Sequence, residues 1–147
     1  MPTIAARIDS YFIQMEWPFE RVDTSLWRTA YQGDLQLHEV FVSVDEDKWV
    51  SLRSMVSKAP SAECKHTVYE HLLRLNSLIP LTKFCIMENG DIFALVDLPT
   101  ADLHFTDFRI ALQTIINHVD AYDNEILSLC KNAEESSSLG TTGMATS

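Results

Sequence analysis

Cys64 and His66, a thiol two positions before an imidazole, come nearest to a nucleophile with its base. A helix dipole would lower the pKa of a thiol near its positive end, and an imidazole close by could take the proton. The spacing argues against the pair, because helical positions i and i+2 do not face each other. Cys64 then reads as a small packed thiol, as do Cys85 on a strand and Cys130 near the end of the last helix. His66 and Glu70 share a helical face and could hold a metal, but His71 lies too far round to join them, and two ligands fall short of the three or four that a site needs. His104 with Asp102 and Asp107 is a looser cluster at a helix start, where the dipole favours acids anyway. His38 and His118 stand alone and receive no role. Asp45-Glu46-Asp47 lacks the ligand spacing of a calcium loop. Gly33 and Gly90 fall in turns and Gly140 and Gly143 near the C-terminus, so no glycine-rich loop is left to cradle phosphate, and there is no G-x-S-x-G elbow. The sequence therefore indicates no catalytic residue, no cofactor site and no metal site.

A chain of 147 residues with 46% hydrophobic and 22% charged content suits one domain with one core. A net charge of -10 repels phosphate backbones and anionic headgroups, and the eleven cations are strewn singly, so nucleic acid is excluded as a partner. The three cysteines form no C-x-x-C pair. The absence of an apolar leader or membrane-length run predicts a cytoplasmic protein with no membrane partner.

Ile4, Ile8, Tyr11, Phe12 and Met15 recur at helical spacing behind Thr3 and stop before Pro18, which predicts a helix over 3–15. Strand-forming runs follow at 26–31, 35–44 and 49–56, with breaks short enough to force an antiparallel meander. Pro60 and Ser61 open a second helix that Pro80 ends. Strands at 84–87 and 92–96 flank Asn89-Gly90, a pair suited to a type I′ turn. The last helix, expected to begin near Asp107, carries a seam of Phe108, Leu112, Ile115, Val119, Tyr122, Ile126 and Leu129, widened by Ala111, Ile116 and Leu127. Beyond Asn132 the serine- and threonine-rich residues 133–147 have little to bury and are expected to be disordered. The predicted fold is α+β, an antiparallel five-stranded sheet in the order α-β-β-β-α-β-β-α with helices packed against it, over residues 1–132.

The second hairpin carries apolar groups on both faces, Ile92, Ala94 and Val96 on one and Phe93 and Leu95 on the other. One layer of helices shelters one face only, so the second calls for a partner. Trp17, Phe19, Trp27, Tyr31 and Trp49 cluster in or near the first meander and are candidate partner-binding residues, since aromatics anchor interfaces as well as filling cores.

Leu72-Leu73-Arg74-Leu75-Asn76, Lys83-Phe84-Cys85, Asn89-Gly90-Asp91-Ile92, Asp97-Leu98-Pro99 and the long last helix together resemble the YbjN domain, a family similar in fold to type III secretion chaperones. The resemblance covers about residues 3 to 130 and supplies no catalytic residue. It implies a small cytoplasmic homodimer that holds an extended segment of a client protein, with Val68, Leu72, Leu75 and Ile79 as a candidate dimer surface, although core packing alone also accounts for that stripe. A chaperone-like or regulatory interaction domain is the leading expectation. A ligand-sensing regulator with a pocket between helices and sheet is the alternative, and a thiol enzyme at Cys64 the third.

Overall fold

Thr3 caps the first helix as its spacing predicts: its hydroxyl accepts the amide of Ala6 at 3.0 Å, and α1 (Ile4–Gln14) buries Ile8, Tyr11 and Phe12 along one face. The structure, a computed structural model, describes the backbone of residues 2–146 and the side chains of residues 2–132. The disorder expected over 133–147 lies outside the residues so described.

Six strands form, not five. The additional one, β1 (Glu20–Asp23), is exposed at all four positions and has no apolar alternation to announce it. It is a strand because it pairs with β2 (Leu26–Gln32), where Arg28 meets Glu20 at 2.6 Å. β3 (Leu37–Asp45) and β4 (Trp49–Ser57) complete an antiparallel meander. After α2 (Lys65–Leu78), the hairpin of β5 (Lys83–Ile86) and β6 (Ile92–Pro99) returns to the sheet with β6 against β4, giving the order β1-β2-β3-β4-β6-β5. The last helix, α3, runs Phe105–Thr146.

One turn departs from expectation. Among Glu88, Asn89 and Gly90 only Gly90 takes a positive φ, 91°, so the turn is not type I′; the amide of Gly90 donates to the carbonyl of Met87 at 2.8 Å, as in a type I turn followed by a left-handed glycine. The pair of positive φ angles stands instead at Glu46 (49°) and Asp47 (55°), where the amide of Lys48 donates to Asp45 and closes the β3–β4 hairpin. α3 also starts earlier than expected. Asp107 is inside its first turn and reaches back to accept the amide of His104 at 2.9 Å, so the carboxylate that seemed to mark the start serves the backbone before it.

All three helices pack on one face of the sheet. The seam of α3 is buried at Phe108, Leu112, Ile115, Val119 and Ile126 against Val50, Leu52 and Val56 of β4 and Ile92, Ala94 and Val96 of β6. Phe12 links α1 to this core, stacked on Phe19 and edge-on to Phe108.

Candidate functional site

Strand alternation leaves one sheet face uncovered. On it Phe41 of β3, Arg53 of β4, Leu95 of β6 and Lys83 of β5 stand in register, and Met55, Phe93 and Cys85 form the next row. Phe41, Phe93 and Leu95 are only half-buried and Met55 is exposed, whereas Ile92, Ala94 and Val96 on the other side are sealed. The helices thus shelter one apolar face of the second hairpin and leave the other.

A second apolar surface lies at the free edge of the sheet. Tyr69, Leu72 and Leu73 of α2, with Phe84 and Ile86 of β5, line a groove of about 220 Å³. Leu73 is 72% and Ile86 49% exposed, and Leu78 on the same helix is 76% exposed. Isolated apolar side chains at a surface are ordinary; a groove with apolar walls and exposed apolar rims is the less common arrangement. Asn76 controls the edge beside it. Its side-chain amide donates to the carbonyl of Phe84 at 3.2 Å and its carbonyl accepts the amide of Phe84 at 2.8 Å. These are the ladder bonds a seventh strand would make, so Asn76 blunts the edge and leaves the groove to side chains rather than to a pairing backbone. Lys83 ties the same junction, donating to the carbonyls of Asn76 and Ile79 at the end of α2.

The residues singled out in the sequence separate by position. Trp27 is fully buried, its indole N–H donating to Asp9 at 2.7 Å; Trp17 and Phe19 are half-buried against the core. Tyr31 stacks on His38 and donates to the carbonyl of Ile116 at 3.0 Å. Burial, with Asp120 and Asp123 nearby, holds its phenol well above the ordinary value of 10.0. Only Trp49 stands out, 47% exposed on the uncovered face. The structure does not gather the five into one site. Val68, Leu72, Leu75 and Ile79 are all buried within the chain's own core; Leu72 alone of the four reaches the groove wall.

The chemical candidates are also scattered. Cys64 is fully buried at the start of α2 while His66 is exposed. Burial raises the Cys85 thiol above its ordinary pKa, which disfavours the thiolate. Glu70 is occupied by Arg74 at 2.8 Å, and His71 faces Glu125 of α3 at 3.1 Å, not His66. Burial lowers the His118 imidazole below its ordinary value, helped by Lys83. What sequence reasoning missed is a meeting of His38 with Asp120 and Asp123, whose ligand atoms lie within 4.8 Å of one another. No local signal could have found it, because β3 and α3 are brought together only by the packed sheet. A cavity of about 330 Å³, lined in part by Gln36 and His38 themselves, lies between the start of β3, the end of β4 and Leu127 of α3.

Comparison with known proteins agrees with this architecture. A family model, YbjN, described as "Putative bacterial sensory transduction regulator", matches residues 5–128. A comparison with curated proteins finds no match. Among solved structures, a chain of the ExsC–ExsE complex superposes with a TM-score of 0.60 at 13% identity, covering 84% of this chain and 96% of that one. A chain of the heterodimeric ExoU–SpcU complex from the type III secretion system of Pseudomonas aeruginosa gives 0.59 at 16% identity, covering 83% and 96%. YbjN from E. coli gives 0.61 at 7% identity, covering 82% and 89%. At such identities the likeness is one of fold.

Proposed function

The chain belongs to the YbjN family, whose model spans residues 5–128, and from that premise we propose that it is a non-enzymatic interaction domain that holds a segment of another protein. The observation that carries the reading is the apolar groove between α2 and β5. Among the described residues nothing covers its rims, and burying Leu73 and Ile86 would contribute roughly 25 cal/mol per Å² of apolar area. Asn76 leaves no unpaired backbone at Phe84, so recognition is by apolar side chains seated in the groove. A net charge of -10 favours a basic flank on the bound segment through long-range attraction. The fold shared with chains from the ExsC–ExsE and ExoU–SpcU complexes, and with a chain of the HopA1–SchA chaperone–effector complex, supports a chaperone-like role, and the family description supports a regulatory one. We place the protein in the cytoplasm; among the described residues no helix is long and apolar enough to cross a membrane.

Homodimerisation belongs to the same proposal. Since Val68, Leu75 and Ile79 are spent on the core, a second copy would meet the outward residues of α2, Leu73 and Leu78, rather than the stripe itself. A photo-crosslinking residue at Ile86, with one at Ile13 on α1 as an exposed control, tests the surface in native extract. The expected result is discrete adducts from position 86, a partner or a second copy, that vanish when Leu73→Asp is added and that position 13 never gives. Identical adduct patterns at the two positions would remove the groove from consideration.

The cavity between β3, β4 and α3 favours a second reading, a regulator that senses a small molecule there. Thermal-shift screening against metabolites separates the two, because a ligand of the folded state raises the melting temperature by mass action.

A further inference from the structure

His38 on β3 is buried to 2% and Asp123 on α3 to 1% of side-chain exposure, with Nε2 of the one 3.0 Å from Oδ2 of the other. Nε2 nevertheless has no hydrogen-bond partner among the described residues. Asp120, one turn earlier on α3 and half-buried, completes a group of three in which the nitrogen and the two carboxylate oxygens lie within 4.8 Å of one another. The carboxylates are only partly satisfied by neutral donors. Asp120 accepts the amide of Asp34 at 2.9 Å, and Asp123 accepts the amide of Asn124 at 2.6 Å and the side chain of Gln36 at 3.3 Å. Among the described residues no lysine or arginine pairs with either acid.

Burying carboxylate charge is costly unless it is matched. A protonated His38 could match one of the two acids. The site nevertheless keeps both carboxylates close to an unsatisfied imidazole nitrogen, and the backbone makes room for them. A Cβ on Gly33 would fall 2.5 Å from Oδ1 of Asp120 and 2.9 Å from Cδ2 of His38, so any side chain at this position would push the acid away from the imidazole.

We infer that His38, Asp120 and Asp123 form a binding site for one divalent cation of borderline hardness, of the kind that Zn²⁺ and Mn²⁺ represent. One imidazole nitrogen and two carboxylate oxygens suit such ions, and a doubly charged cation balances both acids with His38 neutral. With metal–ligand bonds of about 2.0–2.2 Å, ligand atoms stand roughly 3.4 Å apart. His38 and Asp123 are already near that separation, and Asp120, being half-buried, is the group that must swing in. The remaining position falls to water. Such an ion would clamp β3 to α3 and shares no residue with the groove between α2 and β5, so the proposal stands apart from the partner-binding reading.

The test uses the full chain stripped with a chelator and titrated with Zn²⁺ or Mn²⁺ alone, followed calorimetrically, by melting temperature and by metal content after desalting. One ion per chain and a raised melting temperature are expected. Asp120→Asn, at a half-exposed position that leaves the core intact, and Gly33→Ala should each weaken binding by about tenfold or more. His38→Gln should do the same if it folds, and Asp120→Asn decides the matter if it does not. Failure of the stripped protein to bind either ion overturns the site in favour of a buried His38–Asp123 ion pair. Binding that Asp120→Asn and Gly33→Ala leave unchanged overturns it too, since the ions then sit on other acids.

Discussion

Tyr31 shows how a single side chain joins the sheet to α3 and what that costs when the solvent changes. Its hydroxyl donates to Ile116 while its ring covers His38, and two nearby carboxylates resist its ionisation. The phenol is an acid whose pKa is raised on folding, so above the ordinary value of 10.0 the unfolded chain loses a proton that the folded chain keeps. Stability must then fall as pH rises beyond that point. Urea midpoints taken on either side of it should show wild type losing more stability than Tyr31→Phe over the same interval. Parallel losses in the two proteins would mean that the environment of Tyr31 is not as described. That Tyr31 and Trp27 are large and aromatic was plain in the sequence. That one serves β2–α3 contact and the other an indole bond to Asp9 depended on neighbours far along the chain.

At the scale of elements, local rules were legible wherever a face was buried. The first helix with its Thr3 cap, the seam of α3 and the alternation of β6 follow from periodic apolar residues facing one core. They failed where nothing was buried. β1 has four exposed residues and exists through pairing alone, and the boundary of α3 moved because Asp107 could cap from inside the helix as readily as mark its start. The β3–β4 turn carries the same lesson, since Glu46 and Asp47 hold left-handed angles that cost any side chain more than glycine, imposed by the strands on either side. Replacing Asp47 with glycine should therefore raise stability by about 0.5–1 kcal/mol. An unchanged or lower denaturation midpoint would show that the Asp47 side chain contributes more than its backbone strain costs.

For the molecule as a whole, the balance is between a sealed side of the sheet and an open one. Asn76 keeps that open architecture from becoming a liability at its β5 edge, because it occupies the bonds through which sheets of two molecules would join. Asn76→Ala leaves the amide and carbonyl of Phe84 unpaired, at a cost of about 1–3 kcal/mol. It should also shift the protein towards larger species in light scattering as concentration rises. A variant as stable as wild type, with unchanged mass at every concentration, would deny Asn76 that protective role. The residue sits in the run Leu72-Leu73-Arg74-Leu75-Asn76 that carried part of the family resemblance, yet its partner at Phe84 was not visible there.

The class of fold, the amphipathic faces and the excess of apolar surface on the second hairpin could be read from residue order, because these follow from side-chain spacing within one helix or strand. The sixth strand, the placing of β6 beside β4, the capped edge at Phe84 and the meeting of His38 with Asp120 and Asp123 emerged with the folded chain. Each of these joins residues whose local surroundings say nothing of one another, and the choice between pairings is made by how the whole chain can bury its apolar area at once.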